Sequence, residues 1–203
     1  LQKVSGDLYD YFDLNGKLNG LSLFDISGHG ISASMISVMA KNVIRRNFLR
    51  GHALEESPSK ILSKISREIA EEKGEVDNYL TGIILTIDSF SRTDECEIHI
   101  ANGGHPYPIL YRASQEKAEE ILPDNLENQF GAIGIKDFDT SFPTVDFFMA
   151  IDDVLVLFTD GVTESENVMK IQFGKHRLKA AIVDNASKSP KEIPMMPPYI
   201  LAI

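Results

Sequence analysis

The sequence predicts an α+β domain in which two β-sheets pack face to face and are covered by helices. Three observations lead there. Residues 4–26 read as a tight hairpin, a pair of helices follows it, and five later runs read as strands. Two of those strands, Gly82-Ile83-Ile84-Leu85 and Val154-Leu155-Val156-Leu157-Phe158, are continuously apolar, which implies burial on both faces. A sheet acquires two buried faces when another sheet covers one side and helices cover the other, so the economical architecture is a β-sandwich flanked by helices. With 203 residues, 43% of them apolar, the chain can bury one sizeable core, and we read residues 1–203 as a single domain.

Residues 4–14 and 17–26 form the predicted hairpin, joined at Asn15-Gly16, a dipeptide that tolerates positive φ. That pairing draws the segments around Asp7 and Asp25 together. After the glycines of Ser27-Gly28-His29-Gly30, Met35, Met39 and Val43 recur with Ile36, Ala40 and Ile44 at helical spacing, up to Phe48. Ser57-Pro58 opens a second helix, with Ser57 placed to cap it and Ile61, Leu62, Ile65 and Ile69 on one face. The later strands are expected at 79–90, 95–101, 107–112, 144–151 and 153–159, and the polar stretch 114–128 reads as loop. A third helix is expected near 175–183 and a fourth from Ser189-Pro190.

Composition narrows the function classes. A net charge of −10 leaves no basic stripe to neutralise a run of phosphates, which argues against nucleic-acid binding. Thirty Asp and Glu residues suit the collection of divalent cations, although most such groups are simply solvated surface. The one cysteine, Cys96, allows no disulfide framework within the chain and fits a reducing compartment. No stretch is apolar for the ~18 residues of a membrane span, so direct membrane insertion is not expected. The expected location is cytoplasmic. The chain starts at Leu1-Gln2-Lys3-Val4, inside a predicted strand, which suggests the C-terminal output module of a longer protein.

Hard divalent cations take carboxylate oxygens, backbone carbonyls and water, and proteins supply these where strands end in tight turns. Three places have that form: Ser5-Gly6-Asp7, Asp25-Ile26-Ser27-Gly28-His29-Gly30 and Thr159-Asp160-Gly161. Each alone is better read as a turn, which uses Asp and Gly constantly. Together, and in order, they resemble a known family. The matching text is Ser5-Gly6-Asp7-Leu8-Tyr9-Asp10, Asp25-Ile26-Ser27-Gly28-His29-Gly30-Ile31-Ser32-Ala33, Ala101-Asn102-Gly103-Gly104-His105-Pro106-Tyr107-Pro108-Ile109-Leu110-Tyr111-Arg112, and Leu157-Phe158-Thr159-Asp160-Gly161-Val162-Thr163-Glu164. Gln172-Phe173-Gly174-Lys175-His176-Arg177-Leu178 also fits. The chain resembles the SpoIIE/RsbU-type bacterial branch of the metal-dependent PP2C-like protein phosphatases over nearly its whole length.

The resemblance implies an αββα sandwich of two mainly antiparallel sheets flanked by helices, with two Mn²⁺ or Mg²⁺ ions at one end. It further implies that Asp7 bridges the metals, Asp25 binds one directly or through water, the Ile26 carbonyl adds a ligand, and Asp160 holds the other metal. Asp7, Asp25 and Asp160 are accordingly the expected catalytic residues, and a metal-activated water is the expected nucleophile. The implied substrate is phosphoserine or phosphothreonine on a regulatory protein, a STAS-type anti-anti-sigma factor. A homodimer formed through an N-terminal linker outside this chain is also implied.

One departure bears on activity. Relatives carry an Asp-Asp pair before the last strand, where this sequence runs Pro194-Met195-Met196-Pro197-Pro198-Tyr199. The abrupt run favours an omitted ligand-bearing loop over a weakened site, and Asp184 is expected at the surface. The alternative function is a catalytically inactive phosphatase fold that binds a regulatory partner. His29 and His105 are expected to hold loop geometry rather than transfer protons, and Asp10 and Glu164 to hydrogen-bond the ligands. A haloacid-dehalogenase reading fails because Phe158, not aspartate, stands two before Asp160. A P-loop and a Gly-x-Ser-x-Gly elbow are absent.

Overall fold

A computed structural model describes residues 6–28, 30–88, 94–124, 131–136, 141–188 and 200–202. In chain order the elements are β1 (Leu8–Leu14), β2 (Lys17–Ile26), α1 (Ile31–Ala53), α2 (Pro58–Glu72), β3 (Leu80–Ile87) and β4 (Glu95–Gly103). There follow β5 (Ile109–Arg112), β6 (Lys117–Glu120), β7 (Thr144–Ala150), β8 (Val154–Phe158), α3 (Asp160–Glu164), α4 (Gly174–Asn185) and β9 (Ile200–Ala202). The strands make two antiparallel sheets, β1-β2-β3-β4-β7 and β6-β5-β8-β9.

Alternation along the strands builds three apolar layers. Leu21 and Leu23 of β2 meet Leu155 and Leu157 of β8 between the sheets. Phe24 and Ile26, one residue out of phase, pack with Phe12 against Ile36, Val43, Ile61 and Ile65 of α1 and α2. On the far side, Val156 and Phe158 pack against Leu178 and Ile182 of α4. The order is therefore helices, sheet, sheet, helices. The hairpin turns as expected, with positive φ at Asn15 (57°) and Gly16 (75°). Ser57 caps α2, its side chain accepting from the Lys60 N–H at 3.4 Å, with Pro58 in the first turn.

Three local expectations are corrected. The polar stretch after Ser114 is not all loop: it contains β6, which pairs with β5 from Ile109↔Glu120 to Arg112↔Lys117. β6 is an edge strand held by backbone pairing and by Glu120, which meets Lys175 (2.9 Å) and Lys179 (3.0 Å) of α4, so it shows no apolar run. Met35 does not join the buried face of α1. Ile36, Ala40, Val43, Ile44 and Phe48 set the helix phase, leaving Met35 70% and Val38 68% exposed. Asp160 opens a short helix, α3, that the sequence pattern did not announce. The expected fourth helix, His29 and the Pro194-to-Tyr199 segment lie outside the described residues. Among the described residues, no helix is long and apolar enough to cross a membrane.

Candidate metal centre at one end of the sandwich

The strand period carries Leu21 and Leu23 into the intersheet core and puts Asp25 next on the same face, where that core ends. Asp25 pairs with Thr81 of β3, and Ile26 with Leu80. The Asp7 segment closes on this strand end from β1. A methyl group on Gly6 would lie 2.8 Å from the Ile26 carbonyl oxygen and 3.2 Å from Asp25 Oδ1. Only glycine permits that approach, and both oxygens thereby face the Gly6-Asp7 backbone. From the second sheet, β8 ends at Phe158, buried Thr159 forms the N-cap of α3, and Asp160 begins the helix.

Three of the residues singled out in the sequence are thus brought together electrostatically. The Asp25 carboxyl is pushed up to about 6, first by burial, then by the charges of Asp7 and Asp160 and a hydrogen bond with Asp7, against an opposing hydrogen bond from the Ile26 backbone. A like charge nearby disfavours the ionised form, so the Asp25 carboxyl reports the closeness of the other two. Half-buried Asp7 and Asp25, exposed Asp160 and the Ile26 carbonyl offer only hard oxygens, a donor set that fits Mg²⁺ or Mn²⁺.

The loop after Asp25 is held by residues that sequence reasoning missed. Asn78 Nδ2 donates to the Ser27 carbonyl, and Ser32 Oγ donates to Asn78 Oδ1 at 3.2 Å. The Tyr79 N–H donates to Ser27 Oγ, and the Ser27 N–H to the Tyr79 carbonyl, both at 2.9 Å. An asparagine in a polar linker carries no local signature of such a role, because its partners are some fifty residues away.

His105 is a loop-fixing residue. It is 4% exposed, its N–H donates to Asn102 Oδ1 (2.8 Å), its carbonyl accepts from Asn102 Nδ2 (2.9 Å), and Nδ1 lies 3.2 Å from Thr81 Oγ1. Burial lowers its pKa to about 4, with the Phe158 backbone acting weakly in the opposite sense. Nε2 nevertheless makes no hydrogen bond of good geometry among the described residues. The ring is neutral near pH 7.

Asp10 does not serve the carboxylates. It shares the helix-facing side of β1 with Phe12, and there it pairs with Arg45 of α1 at 3.1 Å. Glu164 is exposed at the end of α3, and Asp184 is exposed on α4. Elsewhere, Asp88, Glu97 and His99 place ligand atoms within 4.8 Å of one another. Asp88 lies seven residues beyond Thr81 along the strand direction, roughly 23 Å away, so this group is distinct from the Asp7, Asp25 and Asp160 centre. His99 lies against two carboxylates there, Asp146 (2.8 Å) and Asp88 (3.7 Å). Burial would lower its pKa, but the Asp146 hydrogen bond and the surrounding carboxylates outweigh burial and raise it.

Residues 16–195 match the family described as stage II sporulation protein E (SpoIIE). Over 165 residues the chain is 28% identical to phosphoserine phosphatase RsbP of Bacillus subtilis (strain 168), covering 80% of this chain and 37% of RsbP. The chain therefore spans little more than a third of that relative. The SiaA PP2C domain of Pseudomonas aeruginosa is similar with a TM-score of 0.73 at 18% identity, covering 93% of this chain and 70% of that one. The catalytic domain of the serine threonine protein phosphatase PstP, solved in complex with 2 manganese ions, is similar with a TM-score of 0.59 at 11% identity, covering 90% and 79%. These structural matches establish a PP2C-like fold.

Proposed function

Because the chain belongs to the SpoIIE family, we propose that it is a metal-dependent phosphatase acting on phosphoserine or phosphothreonine of a regulatory protein. The observation that carries this reading is the convergence of Asp7, Asp25 and Asp160 beside the Ile26 carbonyl. These residues would hold Mn²⁺ or Mg²⁺, two ions by analogy with the manganese-bound relative. When bound, such ions supply an activated water and positive charge for the phosphoryl oxygens.

The chain's own residues do the positioning. Gly6 lets the Asp7 backbone approach β2, Asn78 holds the Ser27 loop, and the Thr81–His105 contact supports the strand end opposite Asp25. Asp160 is exposed, so a phosphorylated side chain on a protein surface can reach the centre without the domain opening. The substrate class we favour is a STAS-type anti-anti-sigma factor, supported by the likeness to RsbP, a phosphoserine phosphatase. Within a longer protein this domain would be the output module.

The test is hydrolysis of an aryl phosphate with Mn²⁺ against chelator, for the parent and for Asp160→Asn. Expected is metal-dependent turnover that the substitution lowers at least about a hundredfold, the order of loss for removing a group that stabilises transition-state charge. Absence of turnover by the folded parent at saturating Mn²⁺ would overturn the reading and leave a phosphatase fold used for binding.

A further inference from the structure

A second set of ligand-type side chains is built on neighbouring strands of the five-stranded sheet. Glu97 and His99 alternate along β4 on the face opposite Cys96, Ile98 and Ile100, which line the intersheet core. Asp88 follows the end of β3, and its N–H donates to the Glu97 carbonyl at 2.9 Å, continuing the ladder. Asp146 of β7 stands directly opposite His99.

The His99 ring is oriented as a metal ligand is. An ionised carboxylate only accepts, so the 2.8 Å contact between Nδ1 and Asp146 Oδ1 puts the ring proton on Nδ1. In the neutral ring Nε2 then carries its lone pair on the side of Asp88. Asp146 is not one of the three residues that place ligand atoms within 4.8 Å of one another. A carboxylate behind a histidine, fixing ring and tautomer while the other nitrogen binds, is the usual support of a ligating imidazole. The separation of Nε2 from Asp88 Oδ2 is 3.7 Å, too long for a hydrogen bond. Two ligands of one tetrahedral zinc ion, each about 2.1 Å from it, stand roughly 3.4 Å apart. The gap therefore has the size of a shared ion.

Charge points the same way. Among the described residues, Asp88, Glu97 and Asp146 make no ion pair with lysine or arginine. The carboxylates that raise the His99 pKa favour any cation at Nε2, as does the chain's net charge of −10. One imidazole nitrogen with two carboxylate oxygens suits zinc better than magnesium, which prefers oxygen and keeps its water.

We propose that Asp88, Glu97 and His99 bind one Zn²⁺, with Asp146 orienting the imidazole and water completing the tetrahedron. The ion would clasp the end of β3 to β4. The site lies roughly 23 Å from the Asp7, Asp25 and Asp160 centre. It does not rest on the phosphatase reading, and its test needs no activity.

Zinc binding by the full chain is measured against a chromophoric chelator in excess Mg²⁺, which competes at the oxygen-only centre. Expected is one retained Zn²⁺ that is lost in His99→Gln. Asp146→Ala should weaken binding about tenfold to a hundredfold, the range for removing the support behind a ligating histidine. Asp88→Asn, at a side chain 64% exposed, alters a ligand without touching the core and should weaken binding at least as much. Cu²⁺ serves as a spectroscopic stand-in on the unaltered chain. Its electron paramagnetic resonance spectrum should show coupling to an imidazole nitrogen, which an oxygen-only centre cannot give, and His99→Gln should remove it. Failure of the folded parent to retain Zn²⁺ in excess Mg²⁺ would overturn the proposal. So would unchanged affinity in His99→Gln or Asp88→Asn, or nitrogen coupling that survives the His99 substitution.

Discussion

Lowering the pH should destabilise this fold through His105. The ring is 4% exposed and its pKa is lowered to about 4, whereas an unfolded histidine titrates near 6.5. Between those values the unfolded chain takes up a proton that the folded chain refuses, so stability is fully present above pH 6.5 and is lost as pH falls toward 4. Each unit of difference corresponds to about 1.4 kcal/mol. The loss therefore reaches about 2 kcal/mol at pH 5 and about 3 kcal/mol near pH 4, a sizeable part of the roughly 5–15 kcal/mol that holds a domain together. Urea denaturation of the parent and of His105→Gln at pH 7 and pH 5 isolates this contribution, because other titrating groups are common to both proteins. Expected is a parent midpoint that falls further than the variant's by about 1 M, taking a slope of ~2 kcal/mol per molar. Equal pH dependence in the two proteins would refute the argument.

Other substitutions separate positioning from packing. Asn78→Ala should raise the Mn²⁺ concentration for half-maximal phosphatase activity about tenfold, since it removes the side-chain bonds from Asn78 to the Ser27 carbonyl and to Ser32 of α1; a metal titration reads it. Phe48→Ala should cost about 3–5 kcal/mol, because its buried ring stacks on Phe12 at 3.6 Å between centroids. Thermal unfolding should show this as a fall of roughly 10 °C in Tm. Arg112→Met should cost about 3 kcal/mol by leaving Asp153, whose side chain is 2% exposed, without its counter-charge. In the same denaturation assay Arg46→Ala should change stability by less than about 1 kcal/mol, because Arg46 is itself 56% exposed and Glu68 keeps its hydrogen bond from Asn47.

Much of the architecture was legible because it is written in local periodicity. The apolar run of β8, the helical stripe of α2 with its Ser57 cap and the Asn15-Gly16 turn are each decided by residues within a few positions of one another. β6 was not legible, since an edge strand draws its stability from backbone pairing with β5 and from Glu120 reaching α4, neither of which leaves an apolar pattern. The exposure of Met35 was not legible for a related reason. Several apolar residues fit helical spacing, and only the covering sheet selects which stripe turns inward.

The candidate site divides in the same way. The sequence alone determined that Asp7, Asp25 and Asp160 sit beside glycines, and that Asp25 and Asp160 follow apolar strands, because strand ends and turns have local signatures. Only the tertiary structure decided that Asp25 feels both Asp7 and Asp160, that Asp10 turns instead to Arg45, and that Asn78 and His105 brace the loops around them. Sheet register and the stacking of two sheets set those distances, and Coulomb and hydrogen-bond energies depend on distance in space rather than along the chain.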